Sequence, residues 1–271
     1  REAGQVRQFI LKARQGGVST DQQARALHLI WSKQGATAMT LADNRENTDI
    51  LFGITQRAIE RFPQGLLPGL GDPQTREISF PGLDSIFRTG TAGAKTAGKR
   101  GPTLDRLHAS EFAFWDEPVG ILGAITPALV PSGSAIVLET TGGGHGSEAH
   151  DFWKRAVARE TSYRPLFFPW WECDSLHYRI PLLEPDELGT LEPAEQDLRV
   201  RHGLTLEQIK WRRVKVADLT ESVFLNEYAE DADSCWMAVG GTFYDAMLLK
   251  AVRMRCPEPT ESLMNGTLTL Y

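Results

Sequence analysis

Phe9, Ile10 and Leu11 run into Lys12, and the next residues are Ala13, Arg14, Gln15, Gly16, Gly17, Val18, Ser19 and Thr20. An apolar strand that breaks into glycines and re-enters a helix at a hydroxyl can cradle phosphate. Backbone N–H groups and the helix N-terminus face the anion, and the hydroxyl reaches its metal ion. The usual spacing of such a loop is G-x-x-x-x-G-K-[ST]. With Gly17 as its second glycine and Ser19 as the Mg²⁺-binding hydroxyl, Val18 stands in the lysine position and Lys12 in the first-glycine position. Val18 cannot pair with phosphate, so Lys12 or Arg14 must supply the positive charge. The competing account of this stretch is an ordinary strand-turn-helix with basic residues at its rim.

Two later stretches could complete such a site. In Leu-Asp-Arg-Leu-His-Ala-Ser-Glu (104–111), Glu111 ends a strand, where an α/β NTPase keeps the carboxylate for its attacking water. Ser110 holds the place where these enzymes usually put a Mg²⁺-associated aspartate. Without the loop, Glu111 is a surface glutamate starting a turn. In Ala-Ile-Val-Leu-Glu-Thr-Thr-Gly-Gly-Gly (135–144), Thr140 and Thr141 end a buried strand before a glycine run. Polar residues there can sense a γ-phosphate and pass on its loss, and a strand with a flexible loop is the plainer account.

The elements around these residues read as α/β. Strands are expected at 8–13, 36–42, 104–110, 135–141 and 163–171, with a strand pair about the Pro81-Gly82 turn. Ala24, Leu27, Ile30 and Trp31 mark a helix that Ser19 or Thr20 could cap, and 47–62 a second, stopped by Pro63. Residues 64–74 and the basic, small-residue stretch 91–103 read as loops. Alternating strands and helices predict a mainly parallel sheet covered on both faces over residues 1–170. The charged, helical stretch from Pro181 to Asn226 predicts a small helical lid or linker subdomain (171–230).

The bulk numbers fit. The chain has 271 residues, 41% hydrophobic and 24% charged, ordinary for a globular protein. No apolar run approaches a membrane span and no signal peptide is seen. Cys173, Cys235 and Cys256 are odd in number and far apart, which suggests neither zinc nor a disulfide framework. His28, His108, His145 and His150 lack metal-ligand spacing, and His108 reads as structural. A net charge of -6 excludes a general nucleic-acid coat, so any such contact needs local patches. The one basic helix, 199–215, sets Arg199, Arg201, Lys210, Arg212, Arg213 and Lys215 against Glu207. A solvated face is preferred there over a phosphate contact, and packing is preferred over base stacking for Trp170-Trp171.

Taken in order, "LKARQGGVST", "GKRGPTLDRLHASEFAFW", "IVLETTGGG", "FPWW" and "LNEYAED" resemble the large terminase subunits of tailed bacteriophages, from about residue 7 to about 245. The resemblance implies an ATPase, binding ATP and Mg²⁺, that drives double-stranded DNA into a prohead. In that family the loop's basic residue is often moved to the start of the motif, as Lys12 is here. Lys12, Gly17, Ser19 and Thr20 then resemble phosphate and Mg²⁺ contacts, within a loop that includes Gln15, Gly16 and Val18. Arg14 is similar to a γ-phosphate arginine and Glu111 to the water-positioning base. Ser110-Glu111 resembles a variant acidic pair at the metal, and Thr140-Thr141 the coupling motif. Arg100 resembles an arginine finger offered to a neighbouring subunit, with Lys95 and Lys99 as rivals.

The resemblance also implies a ring of subunits on a portal protein, a small terminase subunit as partner, no membrane, and a place in the infected host's cytoplasm. An adenine-contacting glutamine upstream of the loop is not evident, since Gln5 and Gln8 are poor stand-ins. No acidic nuclease cluster follows Tyr244, so an ATPase fragment is expected, with 231–271 leading toward a nuclease domain absent from the chain. Two other readings stand beside this one. A helicase should show an arginine-bearing motif in a second such domain. A non-hydrolysing docking module is favoured by Val18 and Ser110.

Overall fold

A computed structural model describes residues 4–63, 65–93, 103–173 and 176–236. Along the chain run β1 (Val6–Lys12), α1 (Val18–Ser32), β2 (Thr37–Ala42), α2 (Arg45–Arg61), β3 (Glu77–Phe80) and β4 (Ser85–Thr91). Then come β5 (Arg106–Ala109), α3 (Pro118–Ile125), β6 (Ala135–Thr140), α4 (Glu148–Val157) and β7 (Arg164–Phe168). Helices α5 (Pro193–His202), α6 (Leu206–Leu219) and α7 (Glu221–Glu227) follow.

The strands make one seven-stranded sheet in the order β3-β4-β2-β5-β6-β1-β7. Every pairing is parallel except β3 with β4, which turn back through Pro81–Leu83. A parallel strand is buried on both faces and needs an apolar run rather than an alternating one. Strand β6 meets this at all six positions, although one of its residues is Glu139. Faces alternate along a strand. On β2, Leu41 therefore joins a core with Phe9, Leu11, Leu107, Phe112, Leu138 and Trp153, while Ala38 joins one with Leu27, Ile30, Phe52, Phe80 and Phe87. Of the stripe expected on the first helix, Leu27 and Ile30 lie in the second core and Trp31 packs against it, whereas Ala24 is exposed and Ala26 is buried instead.

Helix α2 starts two residues before its expected position because Asn44 accepts the Asn47 N–H at 2.9 Å and caps it. Helices α3 and α4 were not legible in the sequence. One is short and opened by Pro118, and the other hides behind a glycine run until Ser147 caps it.

The described residues form one compact unit. Within it α6 and α7 surround an aromatic cluster: Trp170 lies 4.8 Å from Trp211, which lies 5.1 Å from Tyr228. Trp170 is fully buried there, so it packs rather than presents a stacking face. The basic residues of 199–215 are largely matched by carboxylates. Arg201 pairs with Asp197, Lys210 with Glu187, Arg212 with Glu230 and Arg213 with Glu195. Arg212 and Glu230 are both nearly buried. The stretch spans the end of α5 and most of α6, and four of its six basic residues are paired with carboxylates of the same chain. Among the described residues no helix is long and apolar enough to cross a membrane.

Candidate active site

Strand β1 ends at Lys12, and the chain turns through Ala13–Gly17 into α1. Gly17 has φ 74°, a left-handed conformation natural to glycine. Gln15 holds φ 58° without that freedom, a strain on the order of 1 kcal/mol that persists where surroundings impose it. Gly17 is also the N-cap of α1, and no side chain caps the helix. Its first N–H groups are thus left for an anion, and the positive end of the helix dipole favours one. The expected cap by Ser19 or Thr20 does not form, because the helix already begins at Val18 and both residues lie inside its first turn, where the Ser19 hydroxyl donates to Glu139 Oε1 at 2.6 Å.

The loop faces a cleft of about 680 Å³. Lys12, Arg14, Gln15, Gly16, Gly17, Val18, Ser19 and Thr20 line one side, and Ser110 and Glu111 the other, with Asn47, Phe114 and Glu227 at the walls. That volume suits a nucleotide-sized ligand. So every loop residue proposed from the sequence and both residues of the acidic pair meet at one opening. Thr140 and Thr141 are fully buried behind it. Arg100, Lys95 and Lys99 lie outside the described residues, as do residues 237–271 of the expected linker.

Glu111 leaves β5 in left-handed backbone, φ 52°. A non-glycine residue there is a mark of functional strain. Its Oε1 accepts from Lys12 Nζ at 3.3 Å, and its Oε2 from the Thr141 backbone N–H at 3.4 Å. Thr140 Oγ1 accepts from the Ala113 N–H at 3.3 Å. Beyond Thr141, the Gly142 N–H donates to Asn226 O at 3.2 Å, and Asn226 Nδ2 to Cys235 O at 3.0 Å. A continuous line of contacts thus runs from Glu111 through Thr141 and Gly142 to α7. A Cβ on Gly142 would lie 1.7 Å from Cys235 O, inside backbone that cannot swing away. Gly142→Ala is expected to cost about 3 kcal/mol. A thermal-unfolding midpoint equal to wild type would show that this junction is slack.

Arg14 bears on the same helix. Its guanidinium pairs with Glu227, its N–H donates to Glu227 O at 2.9 Å, and its carbonyl accepts the Tyr178 hydroxyl. Burial raises the Glu227 carboxyl above the usual range, against the pull of Arg14. Arg14, the arginine expected at a γ-phosphate, thus lines the cleft while paired with α7. Glu227 belongs to the "LNEYAED" stretch, whose role the sequence did not reveal.

Glu139 was the residue the sequence reading missed. It is 0% exposed, in the strand between β1 and β5. Its Oε1 accepts from Ser19 Oγ at 2.6 Å and Ser110 Oγ at 2.9 Å, and faces His108 Nε2 at 3.4 Å. His108 is itself fixed by Gln23 Nε2 at 3.1 Å from Nδ1. Burial pushes the Glu139 carboxyl up, but the Lys12 charge, His108 and the Ser19 hydroxyl outweigh it and hold the group at about 2. Lys12, only 5% exposed, would be lowered by burial, yet Glu139 and Glu111 raise it. Both groups stay charged. A carboxyl depressed on folding adds stability above its ordinary 4.5, and that contribution is lost as pH falls through about 2. Wild type is expected to weaken across that acid window and Glu139→Gln to flatten the dependence, as urea midpoints at stepped pH will read. The signal in the sequence was a lone glutamate directly after the apolar run Ala135–Leu138 and within the same buried strand, where a charge is rare unless paired.

The donor set suits a hard divalent cation. It is all oxygen, from Ser19, Ser110 and Glu111, and the buried carboxylate of Glu139 accepts from both hydroxyls, its Oε2 having no hydrogen-bond partner among the described residues. Among the described residues no cluster of three or more His, Cys, Asp or Glu could hold a metal by itself. The remaining ligands would have to come from substrate phosphate and water, as is usual for Mg²⁺.

No family model and no curated protein matches the chain. Solved structures do. The large terminase of bacteriophage HK97 aligns with TM-score 0.53 and 16% identity, over 79% of this chain and 43% of its own. The large terminase of a thermophilic bacteriophage aligns with TM-score 0.50 and 10% identity, over 73% of this chain and 45% of its own. That thermophilic-phage protein has also been solved with ADP and with ATP-γ-S. The large-terminase ATPase domain of Thermus phage P74-26 aligns with TM-score 0.48 and 16% identity, over 78% and 87%. This chain spans less than half the length of the HK97 and thermophilic-phage proteins. Over the aligned part it has the fold of the HK97 and thermophilic-phage large terminases, here a seven-stranded, mainly parallel sheet between helices.

Proposed function

We propose that this chain hydrolyses ATP as the motor part of a large terminase, moving viral double-stranded DNA into a prohead. The observation that carries this reading is the convergence of Lys12, Ser19 and Glu111 on one cleft beside an uncapped helix N-terminus. The loop N–H groups and α1 receive the phosphates, and Lys12, with Arg14 once released from Glu227, offsets their charge. Glu111 orients the attacking water in line with the γ-phosphorus and accepts its proton. Bound beside Ser19, Mg²⁺ would neutralise charge on the β- and γ-phosphate oxygens. Contacts from Glu111 through Thr141 and Gly142 to Asn226 give the departure of the γ-phosphate a route to α7.

On this reading residues 1–170 are the ATPase core, 171–230 the lid that hydrolysis moves, and 231–271 a linker toward a nuclease domain. The likeness of fold to the HK97 and thermophilic-phage terminases supports the rest of the setting. That setting is a subunit ring on a portal protein, a small terminase subunit, duplex DNA as cargo, and the cytoplasm of an infected bacterium. Arg100 would act as a finger in a neighbour's site.

The test is Mg²⁺-dependent ATP hydrolysis against protein concentration. Turnover rising faster than linearly supports a site completed by a neighbour. Nucleotide binding without turnover at any concentration favours the non-hydrolysing docking module, to which Val18 and Ser110 point.

A further inference from the structure

Ser110 leaves the end of β5 without the acidic group that the cation of such a site needs. We infer that Glu139, one strand over on β6, supplies it as a positioning residue that acts through the Ser19 and Ser110 hydroxyls. The inference rests on the nucleotide-site reading and assigns the acidic function of that site to a residue outside its sequence motifs.

The register makes the substitution possible. Strand β6 lies between β1 and β5, and Ala109 pairs with Leu138, so Ser110 and Glu139 stand side by side at the strand ends. From there a glutamate reaches both the hydroxyl after β1 and the one after β5, at 2.6 and 2.9 Å. A serine that binds a cation uses an oxygen lone pair and must give its proton to another acceptor. An ionised carboxylate is the strongest acceptor available, and it both orients the hydroxyl and raises its donor strength, as outer partners do in metal sites generally. Ser19 already gives its proton to Glu139.

The surroundings do not look like those of a carboxylate kept only as a counter-ion for Lys12. Lys12 makes its hydrogen bond to Glu111, not to Glu139. Instead Oε1 of Glu139 collects both hydroxyls and faces His108, while Oε2 is buried with no hydrogen-bond partner among the described residues. An ionised carboxylate can accept about four hydrogen bonds across two oxygens. Here one oxygen is crowded and the other vacant, directly behind the two hydroxyls that line the cleft. Gln23 and His108 hold this arrangement from below.

The test is calorimetric binding of ADP in EDTA and in saturating Mg²⁺, for wild type, Glu139→Gln and Ser110→Asp/Glu139→Gln. The quantity read is the gain in ADP affinity that Mg²⁺ confers. Removing an outer partner of a metal site typically weakens the metal about 10- to 100-fold. Glu139→Gln is expected to cut the Mg²⁺ gain by about that factor whatever its affinity in EDTA, and the double variant to restore it by returning the carboxylate to β5. A Mg²⁺ gain equal to wild type in folded Glu139→Gln overturns the assignment. So does equal loss in EDTA and Mg²⁺, which would mark a purely structural role. If Glu139→Gln does not fold, Glu139→Asp takes its place. It keeps the charge near Lys12 but withdraws from Ser19 by one methylene, and an undiminished gain again overturns the inference. Failure of wild type to bind ADP under either condition overturns the nucleotide-site reading itself, whereas ADP binding with no Mg²⁺ gain in wild type overturns this assignment alone.

Discussion

Glu111→Gln is expected to lower ATP turnover about 10³-fold with nucleotide affinity within about threefold of wild type. The glutamine keeps the shape of the side chain and an oxygen that can still accept from Lys12 or from the Thr141 N–H. It cannot take a proton from water. Glu111 also lines the cleft and touches Lys12, with its oxygens split between that lysine and the strand that leads to α7. Its left-handed backbone aims the side chain there and is retained with glutamine. Steady-state turnover, ADP binding and an unfolding midpoint on the same preparation separate the outcomes. Turnover within tenfold of wild type, with binding intact, would move the proton-accepting role to another group and remove the main support for hydrolysis at this strand end. Loss of binding together with turnover would make Glu111 a structural partner of Lys12 instead.

The sheet and most of its site were legible because both write themselves into short runs of sequence. Parallel strands buried on both faces must be apolar, so Phe9–Leu11 and Ala135–Leu138 announced β1 and β6. A loop that binds phosphate must offer glycines and a hydroxyl in a fixed order, so Gly16, Gly17 and Ser19 were found despite the displaced lysine. Three kinds of information were hidden. Strand order is a long-range property: nothing local says that β6 lies between β1 and β5, and only that order sets Glu139 against Ser19 and Ser110. Charge partners are likewise non-local. The basic run at 199–215 looked like a surplus because its carboxylates Glu187, Glu195 and Glu230 lie elsewhere in the chain. Finally, Arg14 and Glu227 are more than two hundred residues apart, and no pattern in either stretch joins them before the fold does. Glu139 differs from these, since a charge inside an apolar strand is visible in the sequence and asks for partners even when they cannot be named.

Lys12→Met is expected to destabilise the chain by about 3 kcal/mol, and Lys12→Met/Glu139→Gln to recover most of that loss. The argument is electrostatic. Lys12 and Glu139 are both buried, and each keeps the other charged despite the cost of burial. Methionine nearly matches the volume of the lysine stem, so the change removes charge rather than packing and leaves Glu139 buried without a cation. Neutralising both members removes the unpaired charge, which is why such double replacements are often close to neutral. Urea unfolding of the two single variants and the double closes the cycle, and a coupling near zero would show that Lys12 and Glu139 do not need each other. The same proteins then decide what the displaced lysine does. If the stable double variant still binds ADP weakly, Lys12 meets the phosphates as well as the carboxylates. If its affinity in EDTA matches wild type, the loop binds phosphate through its N–H groups and Arg14, and Lys12 serves to hold Glu139 charged and to bind Glu111. A lysine at a strand end is suited to that second task, because it reaches the carboxylates of β5 and β6 from below the loop, where a lysine at position 18 would sit on the helix.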